Sequence, residues 1–192
     1  MKHPTVRRVR DADEASAVDT IVLAFAADPV ARWTWRVAHD YLAGMPRLVR
    51  AFGGNAFAHG TAICTDAGAA LWLPPGVHPD DEKMGEVMES TVSDSQRDEG
   101  FSLFEQMAKY HPGEPHWYLP LIGVDPAHQG KGHGDALMSH VLAQCDRDGT
   151  LAYLESTNPR NISLYLRHGF AVLGTVQAGS SPPITPMLRR PR

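Results

Sequence analysis

The stretch HWYLPLIGVDPAHQGKGHGDALMSHVLAQCD, residues 116–146, decides the fold. Its first part, His116–Val124, is rich in aromatic and branched residues and reads as a strand. Asp125–Pro126 ends that strand, and Gln129-Gly130-Lys131-Gly132-His133-Gly134 follows as a glycine-rich turn. From about Gly132 to Asp146, the residues Met138, Val141, Leu142 and Cys145 recur at helical spacing, so a helix with one apolar face is predicted and Cys145 belongs to the core. A loop that runs into a helix leaves amide N–H groups unpaired, and with the helix dipole these favour an anion. Glycines let the backbone approach phosphate oxygens without Cβ clashes. The segment therefore reads as a cradle for a phosphate or pyrophosphate.

Spacing narrows the ligand. A nucleotide P-loop requires Ser or Thr after its Gly-Lys pair, but Lys131 is followed by Gly132. A dinucleotide fingerprint requires glycine three places beyond Gly132, where Asp135 stands. The pattern that remains is Gln/Arg-x-x-Gly-x-Gly/Ala, met by Gln129, Gly132 and Gly134. Downstream, Asn158–Pro159 opens a helix with a capping side chain and proline at the first helical position. Arg167, His168 and Gly169 suit its C-terminal end. Asn158, Asn161, Ile162 and Tyr165 share one face of that helix. A face that mixes two amides, an aliphatic side chain and a phenol is not a plain core stripe, although Tyr165 taken by itself reads as a packing tyrosine.

The remaining chain is consistent with alternating strands and helices. Thr5–Val9 is a short β-compatible run, after which Asp11 or Asp13 caps a helix carrying Val18, Ile21, Val22 and Phe25 on one face. Asp28–Pro29 stops it, and a second helix is expected over about Asp40–Phe57. Thr61–Thr65 and Ala69–Leu73 read as a hairpin. Residues 77–115, with helical pieces near Glu82–Ser93 and Gln96–Tyr110, read as an insertion or lid. Leu151–Glu155, Phe170–Val176 and Thr185–Leu188 are expected strands. One domain spanning residues 1–192 is expected.

Composition excludes several classes. Of the 192 residues, 43% are hydrophobic, enough for a packed core. A net charge of -4 without a long basic run argues against nucleic-acid binding. The two cysteines, Cys64 and Cys145, have no metal or redox spacing, and the ten histidines form no zinc-type constellation, so no metal is expected. No apolar stretch approaches the ~20 residues of a spanning helix, and no apolar leader segment follows the first basic residues. A soluble, cytoplasmic protein away from membranes is expected, and the excess of arginine over lysine with abundant alanine points to a GC-rich bacterial genome.

The loop and the Asn158–Phe170 segment together resemble the GNAT superfamily of N-acetyltransferases over residues 116–176. The N-terminal half is similar only in the order of its elements. Asp28–Pro29, Arg32–Trp33, Trp72-Leu73-Pro74-Pro75-Gly76 and Met187-Leu188-Arg189-Arg190-Pro191 are similar to the branch containing puromycin acetyltransferase. The resemblance implies an α+β fold: a twisted, mixed but mostly antiparallel sheet of six to seven strands flanked by helices. It implies acetyl-CoA as cofactor and direct transfer of acetyl to a primary amine of a small molecule in a ternary complex.

Residue by residue, the resemblance implies that Leu121, Ile122, Gly123 and Val124 pair with the pantetheine arm, with a main-chain N–H near Ile122 for the oxyanion. Gly123 suits a bulge or a close backbone approach. The amides of Gly130–Gly134 hold the pyrophosphate, with Gln129 heading the motif, and Lys131 and His133 either touch the cofactor or are solvated. Asn158 contacts the pantetheine arm or caps its helix, and Asn161 stands beside it. Tyr165 protonates the departing thiolate as general acid. The position at which several family members carry a base is Tyr118 here; His116, two residues earlier, and Glu114 are the substitutes, and a water chain is the third route. The acceptor region draws on Phe25, Asp28, Trp33, Trp72 and Tyr118. A monomer or a homodimer through the C-terminal strands fits the family. Two other classes remain open: a non-catalytic acyl-CoA-binding module on the same fold, and a nucleotide-binding module using the glycine loop.

Overall fold

The computed structural model describes residues 4–192; residues 1–3, the head of the basic N-terminal stretch, lie outside the described residues. In chain order the elements are β1 (Arg7–Arg8), α1 (Glu14–Ala24), α2 (Pro29–Thr34), α3 (Ala38–Gly53), α4 (Asn55–Ala58), β2 (Ala62–Cys64), β3 (Gly68–Leu73), α5 (Asp81–Thr91), α6 (Asp94–Ala108), β4 (His116–Val124), α7 (His133–Asp148), β5 (Leu151–Ser156), α8 (Ile162–Arg167), β6 (Ala171–Val172) and β7 (Thr185–Arg189). The seven strands form one sheet in the order β1-β2-β3-β4-β5-β7-β6. Every pairing is antiparallel except β4 with β5, which α7 connects. The mixed, mostly antiparallel sheet flanked by helices is the fold expected from the sequence.

Strand alternation sends side chains to two cores. One face of the sheet packs on α1 and α3 and buries Val18, Ile21, Met45, Val49, Tyr118 and Tyr153. The other packs on α7 and α8 and buries Trp72, Trp117, Leu119, Leu137, Met138 and Leu154. Cys145 lies in this second core, fully buried, and burial pushes its thiol up to about 11. Among the described residues no helix is long and apolar enough to cross a membrane.

One irregularity in β4 organises the sheet centre. Leu71 pairs with Leu121, but Leu73 pairs with Tyr118, so two steps along β3 match three along β4. The extra residue is a β-bulge. It flips the side-chain parity, which is why Tyr118 and Leu121 both face the α1/α3 core although one number is even and the other odd. Gly123 does not itself form the bulge; it is a site of close approach. A Cβ there would lie 2.8 Å from the Ala24 Cβ and 3.1 Å from the Ile21 Cα, so α1 rests directly on the β4 backbone.

Other boundaries differ from the expectations. Asp28–Pro29 does more than end a helix: it starts α2, a helix not foreseen, with the Asp28 side chain as cap. Pro46 sits well inside α3, and the helix stops at Gly53 before the short α4. The expected strand Phe170–Val176 shrinks to Ala171–Val172 plus an isolated bridge from Val176 to Ile184. Its partner β7 is already paired with β5 on its other side, and the chain leaves the sheet after Val172.

Gly123→Ala is expected to destabilise the fold by about 1–3 kcal/mol, because the added methyl meets backbone that cannot move without shifting α1. A lower urea midpoint with an unchanged slope is the expected readout.

Candidate active site

The pairing of β4 with β5 runs from His116↔Leu151 to Leu119↔Leu154 and stops there. The next residue on β4 is Pro120, which has no amide hydrogen to offer a neighbouring strand, and it stands within the bulge. Beyond this point the strands part. Leu121 and Ile122 on one side, with Glu155 and Ser156 on the other, line a cavity of about 120 Å³. Helices α2 and α6 supply its apolar walls, among them Trp33, Leu103 and Phe104, and Tyr165 and Asn161 close the α8 side.

Tyr165 is buried and stands edge-on to Phe170, with ring centroids 6.2 Å apart. Among the described residues no hydrogen bond engages its hydroxyl. Burial pushes the phenol well up from the usual tyrosine range, and the charge of Asp28 adds to the shift. Tyr165 therefore keeps its proton through the neutral range. Asn158 accepts a hydrogen bond from the Arg160 amide at 3.1 Å and so caps its helix.

The glycine loop has the conformation that its sequence suggests. Gly130 and Gly132 have φ of 73° and 88°, in the left-handed region that favours glycine. Among the described residues, a Cβ at Gly130 would meet nothing within 4 Å. Among the described residues no hydrogen bond engages the amides of Gly130 to Gly134. These open donors at the start of α7 fit a pyrophosphate. The Gln129 side chain donates to the Val124 carbonyl at 3.3 Å and Lys131 to the Ala127 carbonyl at 3.2 Å, so both fold back on the loop. His133 is not solvated: its Nδ1 is hydrogen-bonded to the Thr65 hydroxyl at 2.9 Å in a buried position, and Asp66 lies 3.4 Å away. Gly134 lies against Leu164, the neighbour of Tyr165 in the chain, which ties the loop to α8.

The expected acceptor residues divide. Phe25, Asp28 and Trp33 line the cavity. Trp72 does not, because strand alternation turns it into the α7/α8 core on the opposite face of the sheet. Tyr118 lines a second, wider cavity of about 510 Å³ that shares Phe52, Met88, Phe104, Met107 and Glu155 with the first. Asp28 has both oxygens engaged: Oδ1 accepts from the Val30 and Ala31 amides, and Oδ2 from the Thr157 hydroxyl at 2.7 Å. Burial nevertheless raises its pKa.

The expected bases are poorly placed. Glu114 is exposed and lines neither cavity. His116 donates from Nδ1 to the Glu114 carbonyl at 2.8 Å, packs against His111 and Tyr153, and lines neither cavity. Burial lowers its pKa. Sequence reasoning missed Glu155, whose side chain is 3% exposed and lines both cavities. The signal was present: in Leu151–Glu155 the acid falls two residues after Tyr153, on the same face of an apolar strand.

The strand pair β4/β5 thus opens beside the glycine-rich start of α7, with the Tyr165 phenol on the facing helix. The chain belongs to the Acetyltransferase (GNAT) family, whose model matches residues 75–170. It is 25% identical to an uncharacterized N-acetyltransferase of Schizosaccharomyces pombe, over 96% of this chain and 83% of the relative. Among solved structures it is similar to a Corynebacterium glutamicum protein described as histone acetyltransferase HPA2 and related acetyltransferase. That likeness has a TM-score of 0.71 and 26% identity, and covers 100% of this chain and 98% of the other. An arylalkylamine N-acetyltransferase 2 of Aedes aegypti shares the fold with a TM-score of 0.68 at 12% identity over 100% of both chains. The protein is thus an acyltransferase, and enzymes of its family generally use acetyl-CoA.

Asp28→Ala is expected to cost about 1–2 kcal/mol through loss of the α2 cap, whereas Asp28→Asn keeps the cap and most of that stability. Thermal melting of the two variants side by side checks this.

Proposed function

We propose that the protein transfers acetyl from acetyl-CoA to the primary amine of a small molecule with an apolar or planar body, by direct attack in a ternary complex. The observation that carries this reading is the lining of the first cavity. Its walls are aromatic and aliphatic, and among the described residues its only charged side chains are the carboxylates of Asp28 and Glu155, with no lysine or arginine lining it. Such a pocket attracts a cation with apolar bulk and repels anionic acceptors. The arylalkylamine class named for one fold neighbour has that chemistry.

The parted strands support a place for the cofactor between them. The amides of Gly130–Gly134 would hold its pyrophosphate, and the inner edge of β4 from Leu121 to Val124 would take the pantetheine arm. The cofactor supplies an activated thioester. A β4 amide near Ile122 would be the donor available to stabilise negative charge on the thioester oxygen. Tyr165 would supply the proton for a thiolate leaving group, whose conjugate acid has a pKa of about 8.5. Because burial holds the phenol above its usual range, the donor stays protonated at alkaline pH.

Two measurements test the reading. Purified protein with acetyl-CoA and a panel of arylalkyl and aliphatic primary amines should release free thiol with at least one amine. Cofactor binding with no thiol release from any amine would identify a sensor instead. With that amine, Tyr165→Phe should lower kcat by roughly 10²-fold and leave acetyl-CoA affinity nearly unchanged. The wild-type kcat should stay flat towards high pH up to about the ordinary tyrosine pKa near 10, since ionisation of Tyr165 is displaced upwards. An equal turnover by the phenylalanine variant removes Tyr165 from the chemistry.

A further inference from the structure

An ammonium acceptor has no lone pair until it loses a proton, and the residues expected to take that proton do not reach the cavity. Glu155 does. Its Oε1 is buried with no hydrogen-bond partner among the described residues. The Tyr118 and Tyr153 phenols stand near enough to this carboxylate to feel it as a hydrogen-bonding neighbour, yet Oε1 forms no direct bond, which leaves it open to a partner that comes and goes. Asp28, the other acid of the cavity, already has both oxygens engaged.

Behind Glu155 lies a nest of rings. His111 Nδ1 is 3.7 Å from Glu155 Oε1, just beyond a direct hydrogen bond. The His111 ring is held edge-on by Tyr153 at 4.6 Å, Tyr118 at 4.7 Å and His116 at 5.0 Å between centroids. Burial first, and then the charge of Glu155, pushes the Tyr118 and Tyr153 phenols well up, so neither titrates in the working range. Tyr110 and His78 are the other titratable groups near this nest. His111 also lines the second cavity with His78 and Asp81, and among the described residues no lysine or arginine lines either cavity. Glu155 therefore stands between the acceptor pocket and an imidazole that opens onto a separate exit.

We infer that Glu155 takes the proton from the acceptor's ammonium and that His111 passes it through the second cavity to solvent. The inference rests on the transferase reading above. In the step itself an N–H bond of the ammonium breaks, its electron pair stays on nitrogen, and an O–H bond forms on Glu155. His111 then accepts that proton and restores the carboxylate. The nitrogen loses a second proton when the amide forms, and this one replaces the proton given up by Tyr165. One proton thus leaves per turnover, by the His111 route. Glu155 is the catalytic residue and His111 a positioning and relay residue.

The test follows thiol release by the full chain with its best amine from about pH 6 to 10. Glu155→Gln should lower kcat/KM by roughly 10²–10³-fold near neutrality. The variant's rate should then climb about tenfold per pH unit, because only amine already deprotonated in solution reacts, while the wild type levels off. His111→Ala should lower kcat with little change in KM, and added imidazole, which the second cavity has room to admit, should restore it. Acetyl-CoA affinity should stay unchanged in both variants, which shows that they fold. A Glu155→Gln variant with the wild-type rate and pH profile overturns the assignment of Glu155 and leaves the transferase reading standing. A His111→Ala variant that imidazole does not rescue overturns the relay. A wild type that releases no thiol with any amine overturns the transferase reading and this inference with it.

Discussion

The site depends on a broken ladder. β4 is the middle strand of the sheet, yet its pairing with β5 ends at Leu119, where Pro120 withholds an amide and the bulge inserts an extra residue. Parted strands inside a domain leave backbone donors and acceptors in need of partners. The sheet survives because each strand is held on its outer side. β4 stays paired with β3 as far as Val124, and β5 stays paired with β7 through Glu155↔Pro186 and Ser156↔Thr185. The gap is thus a fixed wedge with two rigid lips, and the unpaired edges on its inner side are available to a ligand that can add hydrogen bonds along a strand.

Two buried acids in the wedge have opposite situations. Asp28 is satisfied by two amides and a hydroxyl, so its charge is spent on holding α2 against the loop after β5. Glu155 has an unpartnered oxygen and an imidazole nearby. A buried carboxylate that satisfies its neighbours is scaffold, and one that does not is poised for a cation. The contrast explains why a strongly apolar cavity retains two carboxylates without any basic residue to neutralise them.

The strand–loop–helix unit was legible in the sequence because it is local. Strand, glycine loop and helix follow one another in residues 116–146, and β4 has the bounds that its composition predicted. The face of Asn161 and Tyr165 was legible for the same reason, since helical spacing alone puts the two side chains on one side. Trp72 was misplaced because its side of the sheet depends on register, which no local pattern fixes. Glu155 was overlooked because an acid at a strand end looks like the start of a loop; only the β5–β7 pairing shows that the strand continues past it. The bulge was invisible for a related reason: it is a mismatch between two strands and belongs to neither sequence alone.

The acceptor half is assembled from segments far apart in the chain, and its polar ties show how. The Trp33 indole donates to the Ser180 hydroxyl at 3.0 Å, and the Ser180 amide and hydroxyl donate to Glu99 at 2.8 and 2.9 Å. These bonds fasten α2, α6 and the stretch before β7 into one wall. Gly179 lets that stretch turn at φ 51° with no space for a Cβ, which would collide with the Glu99 carboxylate. Trp33 is half of this tie and also lines the cavity, so the position of its ring is set by residues 66 and 147 positions away in sequence. A wall fixed by such long-range contacts can change its lining without disturbing the strand–loop–helix unit. On the proposed reading the carrier would lie on the locally encoded half of the fold, and the choice of amine would fall to the half that only the folded chain brings together.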